Sequence, residues 1–154
     1  MELSTVEGDL LEQPVEVIVN AWNRNVIPWW LLRPTGVSGA IKRRAGSAPF
    51  REVGRHGPIP LGGAVLTGAG RLPFRAIIHV AGIDLLWRSS EGAIRGSVRN
   101  ALLLAAAKGF SSIAFPLVGA GAGGFTEEQS LHVMRDEAQQ CPWEGQVLIV
   151  RFFS

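Results

Sequence analysis

The stretch Ser112-Ile113-Ala114-Phe115-Pro116-Leu117-Val118-Gly119-Ala120-Gly121-Ala122-Gly123-Gly124-Phe125-Thr126-Glu127-Glu128-Gln129 passes through three kinds of backbone in eighteen residues. Ser112–Phe115 is short and apolar, as a buried strand should be. The glycine-rich run that follows must turn sharply or approach something closely, because side chains would block that approach. Thr126 and Gln129 stand at capping-box spacing, which starts a helix at Glu127. Strand, glycine loop and helix N-terminus in succession give backbone N–H groups that can converge on an anion, helped by the helix dipole. Gly119-x-Gly121-x-x-Gly124 also matches a dinucleotide-binding fingerprint. That motif belongs in the first strand–helix unit with an acid at a strand end about 20 residues on; here it lies late in the chain, and the acids Asp136 and Glu137 fall inside a helix. No Gly-Lys-Ser or Gly-Lys-Thr follows the glycines, so a P-loop is excluded.

Working outward, Val15–Val19, Ala76–Ala81 and Gln146–Phe152 also read as buried strands, with Leu3–Glu7 and Ala64–Thr67 as weaker ones. Their apolar runs are continuous rather than alternating, which predicts a sheet covered on both faces. Ser90 can cap a helix from Glu91 to about Lys108, stopped by Gly109. The helix after Thr126 should bury Leu131, Met134, Ala138 and Cys141 before Pro142 ends it. Shorter helices are predicted from Val37 to Gly46 and over Pro49–Arg55. Strands alternating with helices make an α/β layered domain.

Composition bounds the rest. The 154 residues suit one domain spanning 1–154, and 47% hydrophobic with 18% charged residues excludes a disordered chain. No apolar run approaches the roughly 20 residues of a membrane span. The acidic opening Met1-Glu2-Leu3-Ser4 lacks an export signal, so the expected location is the cytoplasm. A net charge of +2 is too small for a nucleic-acid footprint, and Lys42-Arg43-Arg44 reads as a solvated helix face. His56, His79 and His132 are widely spaced and Cys141 is the single cysteine, which completes no metal set. Neither metal nor cofactor is expected, and the chain is expected to be a monomer.

Two further segments carry candidate chemistry. Gly8-Asp9-Leu10 places a carboxylate after a strand end, where it can accept from an exocyclic amine. Asn20 and Asn23 stand at the exit of the strand Val17-Ile18-Val19, where ligands of α/β sheets bind. Each amide can donate and accept at once, which suits ribose hydroxyls, although local turn backbone would also satisfy it. Pro34-Thr35-Gly36-Val37-Ser38-Gly39-Ala40-Ile41 offers a second helix N-terminus.

Taken in order, these segments resemble the macrodomain family. The resemblance rests on Gly8-Asp9-Leu10, Val17–Asn23 with its Asn-Ala-x-Asn ending, Gly36–Ile41 with Gly46, and Gly63–Gly68. Leu72-Pro73, Ile77-Ile78-His79-Val80, Ile113–Pro116 and Gly119–Phe125 complete it across nearly the whole chain. It implies a three-layer α/β/α sandwich around a central mixed sheet of about six strands, with an ADP-ribose cleft across the strand ends. By position, Asp9 with Leu10 would meet the adenine. Gly36, Val37, Ser38, Gly39, Ala40 and Ile41 would line one side of the diphosphate. Val118, Gly119, Ala120, Gly121, Ala122, Gly123 and Gly124 would wrap the other, with Asn23 and Phe125 beside the distal ribose. Asn20 would brace loops, and His79 would be structural.

The activity that the resemblance implies is removal of mono-ADP-ribose from Asp and Glu esters of proteins, with Asn23 and Ser38 as the catalytic pair. The partners are then ADP-ribose and mono-ADP-ribosylated proteins. The alternatives are a non-catalytic ADP-ribose reader, or hydrolysis of O-acetyl-ADP-ribose or ADP-ribose 1″-phosphate. Two departures stand out. Many hydrolytic relatives carry Asp at the position of Ser38, and a serine hydroxyl is a poor base at neutral pH. Arg24–Thr35, with Trp29 and Trp30, replaces a shorter glycine-rich segment, and its tryptophans are expected to pack as core or lid.

Overall fold

The structure, a computed structural model, describes residues 1–23, 36–83, 89–120 and 124–152. The segment Arg24–Thr35, whose tryptophans are expected to pack as core or lid, and the loop centre Gly121–Gly123 lie outside the described residues.

Six strands form one sheet: β1 (Glu2–Gly8), β2 (Val17–Asn23), β3 (Ala64–Thr67), β4 (Ala76–Ile83), β5 (Ser112–Phe115) and β6 (Gln146–Phe152). Their order is β1-β6-β5-β2-β4-β3, parallel throughout except for β3, which runs antiparallel to β4 at the edge. The mixed sheet and its layers agree with the expected architecture. A short 3-10 turn at Leu10–Glu12 was not foreseen.

Side-chain alternation along the strands divides the core in two. Ile18, Ile77, Ala81, Ala114, Leu148 and Val150 point to a layer shared with α1 (Gly36–Ala45) and α2 (Ala48–His56). Val17, Val19, Ile78, Val80, Ile113, Phe115, Val147 and Ile149 point the other way, onto α3 (Glu91–Ala107) and α4 (Glu127–Gln140). Both faces are dry, which is why the strands read as unbroken apolar runs. Among the described residues, no helix is long and apolar enough to cross a membrane.

Two local expectations need correction. The strand predicted at Val15–Val19 starts at Val17 and continues to Asn23. Pro14 has no N–H, and Val15 closes a tight turn onto the Gln13 carbonyl at 2.9 Å, so neither joins the ladder. The predicted buried face of α4 is also rotated. Ser130, Val133, Met134, Glu137 and Ala138 are buried, whereas Leu131 and Cys141 are only partly so. Glu137 is pulled inward by the guanidinium groups of Arg95 (3.4 Å) and Arg99 (3.5 Å) from α3. The capping box forms as its spacing requires. Thr126 Oγ1 accepts from Gln129 N at 3.1 Å, and Gln129 Oε1 accepts from Thr126 N at 2.9 Å.

Candidate functional site

Because β1, β6, β5, β2 and β4 are parallel, their C-terminal ends lie along one edge of the sheet. Gly8, Asn23, Phe115 and Phe152 close their strands there. The chain leaves β2 toward α1 on one face, whereas it leaves the neighbouring β5 toward α4 on the other. Adjacent strands whose connections part to opposite faces open a crevice between them, the preferred ligand site of open α/β sheets. Asp9, the end of β2, the start of α1 and the described loop residues Val118, Gly119, Ala120, Gly124 and Phe125 fall on this edge.

The two helix N-termini at the edge differ electrically. The first turn of α4 carries Glu127 and Glu128, and its Gln129 amide is already taken by Thr126. Arg151, near the end of β6, reaches both carboxylates, at 3.2 Å and 2.9 Å. Its guanidinium pKa is raised, chiefly by the hydrogen bond to Glu127. The first turn of α1 carries no acid. An anion in the crevice is therefore favoured by α1, while α4 offers an occupied and neutralised end. The expectation that the helix after the glycine loop would present its dipole to a phosphate is weakened by this capping.

Asp9 holds its own turn. One carboxylate oxygen accepts from Leu11 N at 2.9 Å, the other lies 3.9 Å from the Arg44 guanidinium, and the side chain is 43% exposed. It retains acceptor capacity toward the solvent side. Leu10, Ile41 and Val118 are core side chains, so only their backbone could reach a ligand. For Val118 even that is engaged, since its N–H points to Met134 Sδ at 3.4 Å and its carbonyl accepts from Ser130 Oγ at 2.6 Å. Gly39 is buried and Ala40 half-buried on α1. Gly36 and Val37 form the first turn of α1, and Asn23 ends β2.

Gly119 needs to be glycine. Its φ is +82°, and a Cβ there would lie 2.7 Å from Ser89 Oγ and 2.9 Å from Ile94 Cδ1. Its carbonyl accepts from Phe125 N at 3.2 Å, and Ala120 bridges Phe125, so the loop closes on itself with Gly124 (φ +89°) at its exit. Gly121, Ala122 and Gly123, the remaining predicted loop residues, lie outside the described residues.

Behind the crevice runs a buried polar chain. Asn20, Thr67 and His79 are 0%, 1% and 0% exposed. Thr67 Oγ1 donates to the Gly68 carbonyl at 2.9 Å, which commits its one proton. It must then accept from His79 Nε2–H at 2.9 Å, leaving His79 Nδ1 to accept from the Asn20 amide at 3.0 Å. Burial, with the charge of His56 as a lesser cause, lowers the His79 pKa to about 3. The ring is neutral, and Phe50 meets it edge to face at 5.8 Å. Two buried polar atoms have no hydrogen-bond partner among the described residues: Asn20 Oδ1 and Ser38 Oγ. Neither the relay nor Arg151 was singled out for the site by sequence, although a lone histidine in an apolar strand is a visible sign of a polar partner.

A separate concavity of about 510 Å³, lined by Ala48, Arg51, Glu52, Arg55 and His56, lies along the outer side of α2. It draws on a single helix and contains neither of the two partnerless atoms. Among the described residues, no three His, Cys, Asp or Glu side chains gather as a metal site.

Known proteins share this arrangement. A variant macrodomain of Oceanobacillus iheyensis solved with ADPR superposes with a TM-score of 0.82 at 28% identity, over 97% of this chain and 84% of that one. A protein of Listeria monocytogenes named a Macro domain-containing protein is 37% identical, over 99% of this chain and 89% of its own length. A protein of Escherichia fergusonii named O-acetyl-ADP-ribose deacetylase is 39% identical, over 80% of this chain and 70% of its own length. Residues 19–134 match the Macro domain family itself. The chain belongs to the Macro domain family.

Proposed function

We propose that this protein binds ADP-ribose in the crevice between the ends of β2 and β5 and hydrolyses a carboxylic ester on the distal ribose. The observation that carries this reading is the acid-free N-terminus of α1, with the partnerless Ser38 hydroxyl on its first turns beside the strand ends. A diphosphate gains there from the backbone N–H groups of a helix N-terminus and from the helix dipole. O-acetyl-ADP-ribose and the Asp or Glu esters of mono-ADP-ribosylated proteins share the bond to be broken, an acyl group on a ribose oxygen. The name of the Escherichia fergusonii relative supports the small molecule. The protein esters follow from the same chemistry with a larger acyl group: water adds to the acyl carbon, the bond to the ribose oxygen breaks, that oxygen takes the proton and the side chain is released as a carboxylate.

Water attacks, and the leaving group needs little activation because acyl esters of ribose are labile. Holding the reacting ends in register supplies most of the acceleration. Ser38 orients the attacking water rather than deprotonating it, with a phosphate oxygen of the substrate as the proton acceptor. Asn23 at the end of β2 holds the distal ribose, and Asp9 and Leu10 meet the adenine. Phe125 and the loop Gly119–Gly124 cover the other side.

Calorimetric titration with ADP-ribose, with AMP as control, tests the binding. Release assays on O-acetyl-ADP-ribose and on an ester-linked automodified protein test the chemistry, wild type against Asn23→Ala. Selective binding with release from either ester supports the reading. Equal rates for the two proteins would remove Asn23 from the mechanism. Binding without release on both substrates would make the chain a reader, the reading favoured by a serine where hydrolytic relatives carry an acid.

A further inference from the structure

The polar chain from Gly68 to Asn20 ends in an acceptor that the fold has paid to orient. A neutral His79 carrying its proton on Nε2 presents a lone pair to Asn20, so the Asn20 amino group must face the ring. The amide oxygen then points away, fully buried and without a partner among the described residues. An acceptor left so has given up its solvation with nothing in return.

Its counterpart lies on α1. Ser38, Ile41 and Ala45 are spaced i, i+3, i+7 on one helix stripe, and Ile41 and Ala45 belong to the same core cluster as Ile18 of β2. Asn20 is two residues beyond Ile18 and therefore on the same face of the sheet. α1 runs back against β2 from the strand-end edge. Measured toward that edge, Ser38 lies about 4.5 Å beyond Ile41 along the helix, and Asn20 about 6.6 Å beyond Ile18 along the strand. Both partnerless atoms thus lie between α1 and the sheet, on the strand-end side of Ile41 and Ile18. They make no direct hydrogen bond to each other. One water molecule with polar partners on two sides is the ordinary filling of such a gap.

We propose that Asn20 is a positioning residue of the site: anchored by His79 and Thr67, its Oδ1 shares one buried water with Ser38 Oγ and so fixes the direction of the Ser38 hydroxyl. This deepens the functional reading above and rests on it for the role of Ser38. Phe50 from α2 and Thr67 from β3 touch the relay and do not titrate, whereas His56 at the end of α2 is a titratable group whose charge acts on His79.

Three measurements on the full chain test it. Nitrogen-15 NMR at neutral pH should show His79 as the Nε2–H tautomer, and a high-resolution crystal structure should show one water within hydrogen-bond distance of both Asn20 Oδ1 and Ser38 Oγ. Thr67→Val removes the acceptor for Nε2–H and should lower kcat about tenfold while leaving the Kd for ADP-ribose within about twofold, with Thr67→Ser restoring the rate. An Nδ1–H tautomer, or an Asn20 Oδ1 that accepts from a protein N–H with no water present, overturns the proposal. Parallel loss of affinity and rate in Thr67→Val overturns it too, since that is what a merely structural role predicts. A wild type that turns over no ester defeats the functional reading, while the tautomer and the water still decide the relay.

Discussion

The hydroxyl of Ser130 donates to the carbonyl of Val118 at 2.6 Å, tying α4 to the last residue before the glycine loop. Both residues are fully buried, so nothing from solvent can replace the bond. The loop that begins at Gly119 is thereby launched from a fixed point.

Ser130→Ala should therefore act at a distance of one residue from the loop. It strands a buried carbonyl, at a cost of about 1–3 kcal/mol, and frees the loop's root. Denaturant unfolding should register the loss, and calorimetry should show ADP-ribose binding weakened several-fold. Unchanged affinity with reduced stability would mean that the loop finds its position without this tie.

The neutral His79 makes a pH prediction whose sign follows from linkage. Its folded pKa is depressed from 6.5 to about 3, so between those values the unfolded chain binds the extra proton. The stability it supports is complete above pH 6.5 and is lost as pH falls toward 3, by up to about 1.4 kcal/mol per pH unit. Carboxylates hardly titrate between pH 6.5 and 5, so the slope there reports histidines, and the His79→Gln variant separates the share of His79. Unfolding free energies across that window should slope for the wild type and flatten for His79→Gln.

Ser38 stands two residues into α1, where a negative charge is favoured by the helix dipole. Ser38→Asp should fold with stability within about 1 kcal/mol of wild type, because dipole and desolvation act in opposite directions. It should raise the rate of ester hydrolysis about tenfold by supplying a base. Single-turnover release assays check this. A slower variant would mean that the hydroxyl, through its hydrogen bonds, is the better partner in this cleft.

Arg151 neutralises Glu127 and Glu128 beside the proposed diphosphate position. Arg151→Gln should weaken ADP-ribose binding about threefold in dilute buffer, with the difference shrinking as salt shortens the Debye length. Titrations at two ionic strengths measure it.

Much of this was legible in the sequence, for identifiable reasons. The capping box at Thr126 and the cap at Ser90 are local chemistry, decided within four residues, and both form. Strand burial was readable because both faces of the sheet are dry. The buried face of α4 was misread because its inward positions include Ser130 and Glu137, whose partners come from β5's exit and from α3. The Asn20–His79–Thr67 relay joins residues 59 and 12 positions apart, and no local pattern announces such pairings. Likewise, α1 and α4 look equally suited to a phosphate until Arg151, Glu127 and Glu128 are placed in space.

The strand order has a further consequence. Among the described residues, β6 is the last strand and inserts between β1 and β5, and β1 pairs with no other strand. During synthesis, residues 2–8 therefore emerge before their partner and wait for it until residues 146–152 are available. Until then the growing chain exposes the open edge of β5, a hazard for association with other strands. When the seven residues of β6 pair, they join β1 to β5 in one step and move the edge of the sheet from β5 to β1.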